Sequence, residues 1–263
     1  MTNRQSSIVN RQSKDFLFLH LRDLPYFRAL LRSVESSFYQ GLPLPAPVYD
    51  VGAGDGHFAS LTFDQKIDVG LDPWHGPIHE AKKYGAYRSL VEADGAKSPF
   101  PNEYFASGFS NSVLEHIPHI DDVLKETARV LKKGAPFYFC VPNSGYLTEL
   151  SISKVLGKRY TEWFRVISRT QHSDNPDVWG ARLERAGFEM IQYWHYFSPA
   201  SLRVLEWGHY FGVPSVFARV LTGKWIIARA RWNLWLTQKF LERYASIETV
   251  ENGTYTFYIA RKK

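Results

Sequence analysis

The chain has 263 residues, 44% of them hydrophobic, with a formal net charge of +6 and a single cysteine. That length buries a full core, as one large domain or a domain with an insertion. Cys140, alone and inside an apolar run, excludes a disulfide framework and a thiolate metal site, and fits a buried residue in a reducing, cytoplasmic setting. No uncharged run reaches the roughly 18 residues of a membrane-spanning helix. The N-terminus has no long apolar stretch, so neither a signal peptide nor an N-terminal anchor is expected.

Residues 1–14 are polar, with Arg4, Arg11 and Lys14, and read as a flexible tail. Residues 15–47 begin with two helical stretches broken at Pro25, in which Tyr26, Leu30, Leu31, Val34 and Phe38 form an apolar face at helical spacing. The stretch closes with the stiff connector Leu42 to Pro47. An apolar strand then ends at Asp50-Val51 and feeds Gly52-Ala53-Gly54-Asp55-Gly56. A strand, a glycine-rich turn and a helix form the nucleotide-site arrangement of doubly wound α/β folds. A dinucleotide fingerprint would place its third small residue at position 57, but His57 stands there and the third glycine comes one residue early.

The next strand-like run, Ile67 to Leu71, ends at Asp72, placed to accept hydrogen bonds from ribose hydroxyls, and Trp74 after Pro73 offers a ring to adenine. Val91 to Ala96 reads as a third strand carrying Asp94, Gly95 and Ala96 at its end. Phe105 to Asn111 reads as a fourth, leading into Leu114-Glu115-His116. The spacing of Val123, Leu124, Ala128 and Leu131 predicts a helix over 121–133 that stops at Gly134, and Pro136 to Val141 reads as a buried strand. Residues 143–171 suggest aromatic-rich helices, followed by a helix over 177–185, a strand over 188–197 and a last strand over 255–260.

The Asp-x-Gly-x-Gly-x-Gly run from Asp50 to Gly56, followed in order by Asp72, Asp94 and Leu114-Glu115-His116, resembles the class I S-adenosylmethionine-dependent methyltransferases, in particular the type-11 group that includes the ubiquinone and menaquinone methyltransferases. The resemblance is good over 48–142 and looser over 172–197 and 253–262. It implies an α/β, doubly wound, seven-stranded Rossmann-like sheet with an antiparallel last strand. Residues 48–197 and 251–263 would form the methyltransferase domain, with helices at the N-terminus and a helical insertion at 198–250. It further implies S-adenosylmethionine as cofactor, held by Asp50, Gly52, Ala53, Gly54 and Gly56, by Asp72, Pro73 and Trp74, by Asp94, Gly95 and Ala96, and by Ser110 and Asn111. The N-terminal helices, with Tyr26, and the 143–171 segment, with Tyr146 and Trp163, would face the acceptor. Packing is the competing reading of Tyr26.

Methyl transfer needs alignment above all, which can supply about 7–11 kcal/mol. A hydroxyl or acidic-carbon acceptor also needs a base, and His116, just past the fourth strand, is the candidate. His119, His172, His195 and His209 show no metal-ligand spacing. The expected activity is methyl transfer to a small hydrophobic or lipid-borne acceptor. The rivals are a non-catalytic, methyltransferase-like binding protein and, disfavoured by His57, a nicotinamide-dependent oxidoreductase.

Residues 198–250 replace what can be a short turn. From 198 to 245 there are seven basic against two acidic residues, together with Trp207, Trp225, Trp232 and Trp235. A helical cap with its tryptophans in the core and an in-plane helix on an anionic membrane surface both fit. Nucleic acid fits less well, since no RNA-binding motif accompanies the charge.

Overall fold

The computed structural model describes residues 14–211 and 213–263; the tail expected over 1–14 otherwise lies outside them. In chain order the elements are α1 (Phe16–Leu21), α2 (Tyr26–Tyr39), β1 (Val48–Val51), α3 (His57–Thr62), β2 (Ile67–Asp72), α4 (His75–Ala81), β3 (Tyr87–Glu92), β4 (Ser107–Asn111), α5 (Ile120–Val130) and β5 (Pro136–Pro142). Then follow α6 (Gly145–Thr148), α7 (Ser153–Leu156), α8 (Lys158–Ile167), α9 (Pro176–Ala186), β6 (Phe188–Tyr196), α10 (Pro199–Phe211), α11 (Val213–Thr222), α12 (Arg231–Glu242) and β7 (Tyr255–Lys262).

The chain divides into two compact units. One comprises 44–203 with 248–263, and the other comprises the described residues of 1–43 with 204–247. The N-terminal helices and the basic insertion, separate segments in sequence, thus belong to one unit.

The larger unit is built on a seven-stranded sheet in the order β3-β2-β1-β4-β5-β7-β6. β1 to β5 pair in parallel and β7 runs antiparallel to both β5 and β6. β5 is a nearly continuous apolar run because both its faces are covered, whereas the equally buried β4 at the centre is Ser107-Gly108-Phe109-Ser110-Asn111. Phe137, Phe139 and Val141 of β5 are fully buried, with Val123, Leu124 and Ala128 of α5 and Trp179 and Leu183 of α9 in the same core. Phe139 stacks on Tyr258 with ring centroids 4.7 Å apart.

Boundaries shift by two residues at the start of β4 and the end of β7, and by more in two places. β3 lies at 87–92, ahead of the expected 91–96 run, so Asp94 stands beyond the strand. It is an edge strand whose Arg88, Ser89 and Glu92 are exposed, and those polar residues break the apolar pattern. α5 ends at Val130, because Leu131 turns extended and bridges to Phe105.

β6 and β7 meet at Tyr196 and Tyr255, and just beyond them the Thr254 amide and hydroxyl both donate to the Phe197 carbonyl, at 3.0 and 2.8 Å. The hairpin is closed at its base, and the residues between are an excursion from that stem. Asn143 fastens the start of the other insertion to the same place, its Nδ2 donating to the Gly253 carbonyl at 2.9 Å and to Thr256 Oγ1 at 3.0 Å.

Candidate cofactor and active site

The site is assembled at the C-terminal ends of β1, β2 and β4, where open α/β sheets bind ligands. The chain leaves β1 and at once doubles back: the amides of Gly52 and Ala53 both donate to the Leu71 carbonyl at 2.8 and 2.9 Å. Gly52 has φ +89° and a Cβ there would lie 2.4 Å from Val113 Cγ1. Gly54 has φ +54°, yet a Cβ there would meet nothing within 4 Å. Gly52 is therefore required by internal packing, whereas Gly54 leaves its backbone open to approach. Gly56 caps α3 in the left-handed conformation.

Asp72 at the tip of β2 ties this loop down. Its Oδ2 accepts from the Gly54 amide and its Oδ1 from the Trp74 amide, both at 3.0 Å. Each oxygen keeps acceptor capacity for a hydroxyl. Burial raises its pKa, against the two amide hydrogen bonds. Trp74 is 70% exposed beside it. Pro73 is exposed as well.

Asp50 lies beneath the loop, fully buried. The Tyr87 hydroxyl donates to its Oδ2 at 2.6 Å, and its Oδ1 has no hydrogen-bond partner among the described residues. Burial pushes its pKa up to about 7; the Tyr87 hydrogen bond opposes the shift and the nearby Asp72 adds to it. Burial likewise raises the Tyr87 phenol, reinforced by the Asp50 carboxyl. Asp50 supports the loop from inside.

Asp94 is half exposed, accepts from the Ala96 amide at 2.9 Å and stands 3.7 Å from His119 Nε2. Gly95 is packed against Val123 of α5. Ser110 is fully buried and its hydroxyl donates to the Val51 carbonyl at 2.7 Å, so its side chain joins β4 to β1. Asn111 Oδ1 accepts the Cys140 thiol at 3.0 Å. Sequence reasoning missed Ser112 and Val113, which follow β4. Ser112 holds φ +50° and Val113 fills the space beside Gly52. Neither residue type signals such a role.

His116 ends a short 3-10 turn, Leu114–His116. Its Nδ1 lies 3.0 Å from the Arg169 carbonyl. A carbonyl only accepts, so Nδ1 carries the hydrogen and the neutral ring presents Nε2 as a lone pair. Nε2 stands 3.8 Å from Glu115 Oε1, and the ring is 42% exposed. The amides of Gln171 and His172 both donate to the Glu115 carbonyl, which joins the end of the 143–171 segment to this turn. Tyr146 of that segment is buried between Phe164 and Tyr255, and burial pushes its pKa up to about 12. Trp163 is exposed on α8 beside Tyr160. Tyr26 belongs to the other unit, edge-on to Phe27. Among the described residues no cluster of three or more metal-ligating side chains occurs.

A mostly parallel sheet with an antiparallel β7, and an Asp-x-Gly-x-Gly-x-Gly loop pinned by an acid at the tip of β2, match the class I methyltransferase fold. Residues 49–139 match the model of a methyltransferase-domain family. The chain is 30% identical over 135 residues to a malonyl-[acyl-carrier protein] O-methyltransferase of Methylococcus capsulatus, covering 48% of this chain and 49% of that one. It is 32% identical over 123 residues to a ubiquinone/menaquinone biosynthesis C-methyltransferase of Brucella canis, covering 40% and 44%. The match thus spans about half of each relative's length. A S-adenosylmethionine-dependent methyltransferase of Thermotoga maritima shares the fold, with a TM-score of 0.56 at 17% identity over 94% of this chain and 93% of that one.

The residues present fit that cofactor. The open approach at Gly54, the carboxylate of Asp72 with acceptor capacity remaining, the exposed Trp74 ring and the half-exposed Asp94 all lie along the ends of neighbouring strands.

Proposed function

We propose that this chain transfers the methyl group of S-adenosylmethionine to a small hydrophobic or lipid-borne acceptor. The observation that carries the reading is the Gly54 backbone, open on one side and held by Asp72 on the other, next to an exposed tryptophan. When bound, the cofactor supplies an electrophilic methyl group on a sulfonium. The loop from Gly52 to Gly56 would take its amino-acid end, Asp72 its ribose, and Trp74 and Asp94 its adenine.

The chain's remaining task is to orient the acceptor and receive its proton. His116 is suited to the second part: its Nδ1–H is fixed on the Arg169 carbonyl, so Nε2 is the atom that takes the proton. The acceptor class draws on two supports. The relatives named above are a malonyl-[acyl-carrier protein] O-methyltransferase and a ubiquinone/menaquinone biosynthesis C-methyltransferase. The helices α7 and α8, which lead into the segment bonded to Glu115 and His116, expose Val155, Leu156, Trp163 and Val166 in the same unit as the glycine loop.

Incubation with methyl-labelled S-adenosylmethionine and a panel of lipophilic phenols, quinols and acyl thioesters tests the reading by mass spectrometry of the products. A labelled product is expected. With a hydroxyl or acidic-carbon acceptor, His116→Gln should lower kcat by about 10²–10⁴ and leave cofactor affinity unchanged. Tight cofactor binding without a product from any acceptor class would favour a non-catalytic binding protein instead.

A further inference from the structure

The smaller unit carries an exposed apolar surface of a particular kind. On α12, Leu234 and Leu241 are buried, and the helix packs against α1 through that side. Its core face is therefore satisfied. Its other side nevertheless repeats apolar residues at helical spacing: Trp232 is 80% exposed, Trp235 56% and Leu236 71%. The same occurs on α11, where Phe217 is 66% exposed, Val220 76% and Leu221 82%. Soluble surfaces rarely leave such clusters uncovered without a partner.

Charge separates the candidates for that partner. Residues 14–43 and 204–247 hold ten basic and five acidic side chains, whereas 44–203 and 248–263 hold twenty and twenty-one. The excess positive charge of the described chain is thus confined to the unit that bears the apolar stripes. Three of its cations, Arg229, Arg231 and Lys239, are paired with Asp23, Asp15 and Glu242. Lys224, between α11 and α12, is exposed, as is Arg243, just past α12. A second copy of this chain would bring like charge against like charge. A nucleic acid would find phosphate partners and rings in Phe217, Trp232 and Trp235, but would leave the exposed aliphatic side chains of Val220, Leu221 and Leu236 facing a charged backbone. Apolar and tryptophan side chains beside lysine and arginine on short helices are suited to the headgroup boundary of an anionic bilayer. At ten and twelve residues α11 and α12 are too short to cross it. Among the described residues no helix is long and apolar enough to do so.

We propose that α11 and α12 dock this protein, lying in the membrane plane, on an anionic lipid surface, with the Phe217–Leu221 and Trp232–Leu236 stripes entering the headgroup boundary and Lys224 and Arg243 facing acidic lipid headgroups. The inference stands apart from methyl transfer, because cofactor binding and vesicle binding are measured separately.

The test is co-sedimentation of the full chain with vesicles of phosphatidylcholine alone and of phosphatidylcholine mixed with phosphatidylglycerol. The expected result is binding to the mixed vesicles at low salt, weaker binding at high salt and little to neutral ones. Trp232→Ser with Leu236→Ser, and separately Phe217→Ser with Leu221→Ser, should each lower vesicle affinity about tenfold or more, as should Lys224→Glu with Arg243→Glu. All these side chains are exposed, so far-UV circular dichroism and cofactor titration should stay those of the parent. No binding to anionic vesicles at low salt, or equal binding by parent and variants, would overturn the proposal. So would a vesicle-free parent that sediments as a dimer while the serine variants sediment as monomers, or retention on an RNA or DNA oligomer in the absence of vesicle binding.

Discussion

Gly52 and Gly54 share a motif and a positive φ, but differ in what surrounds them, and a single methyl group at each position should have opposite consequences. Gly52→Ala drives a Cβ into Val113 at 2.4 Å in a left-handed backbone, which costs about 1–3 kcal/mol for the overpacking alone. Its melting temperature should fall clearly. Gly54→Ala meets no neighbour, so its stability cost is limited to roughly 1–2 kcal/mol of backbone strain. Its effect should instead appear as a loss of S-adenosylmethionine affinity of about tenfold or more. Thermal melts and titrations of the two variants separate the packing glycine from the ligand glycine. Asp50 makes a pH-dependent contribution. Its carboxyl titrates near 3.8 when exposed and at about 7 in the fold. The folded state therefore holds this proton more tightly, and the stabilisation is complete below pH 3.8, declines as pH rises and is gone above about 7. The difference in unfolding free energy between the parent and Asp50→Asn should drift across that window and level off beyond it. A flat difference would mean that Asp50 is ionised in the fold at acid pH.

Elements were legible to different degrees, for reasons the packing makes plain. β5 was readable because burial on both faces leaves a nearly unbroken apolar run. The edge strand β3 was not, because Arg88, Ser89 and Glu92 face solvent and move the apparent apolar run toward Asp94. The acids at the strand tips were readable from their place after each run, but the inward turn of Ser110 and the left-handed Ser112 carry no sequence signal. A clamp between α5 and the loop after β3 was equally invisible, since it joins residues 28 apart. Glu126 accepts from the Ser98 amide and hydroxyl at 2.8 and 2.9 Å and from Arg129, whose guanidinium holds its carboxyl below the usual range. Glu126→Ala leaves the buried Ser98 without these acceptors and should cost about 1–3 kcal/mol. At this chain length each kcal/mol lowers the melting temperature by about 2–4 °C. A melting temperature equal to the parent's would mean that water replaces the carboxylate at no cost.

At the scale of the whole molecule, sequence order conceals the grouping of the chain. The N-terminal helices and the basic insertion lie about 160 residues apart in the chain and form one compact unit. The closed base of the β6–β7 hairpin explains how so long an excursion leaves the sheet intact. The composition of the insertion was readable in the sequence. Which of its aromatic residues are exposed was not, because that depends on the side α12 turns toward α1. The account as a whole rests on one claim, that the loop from Asp50 to Gly56 and Asp72 form a site for S-adenosylmethionine. Isothermal titration of the full chain with S-adenosylmethionine and its demethylated product, with NAD as control, tests it most directly. Micromolar binding of the first two, without NAD binding, is the predicted result. A folded chain that binds neither, or that binds NAD instead, would contradict it.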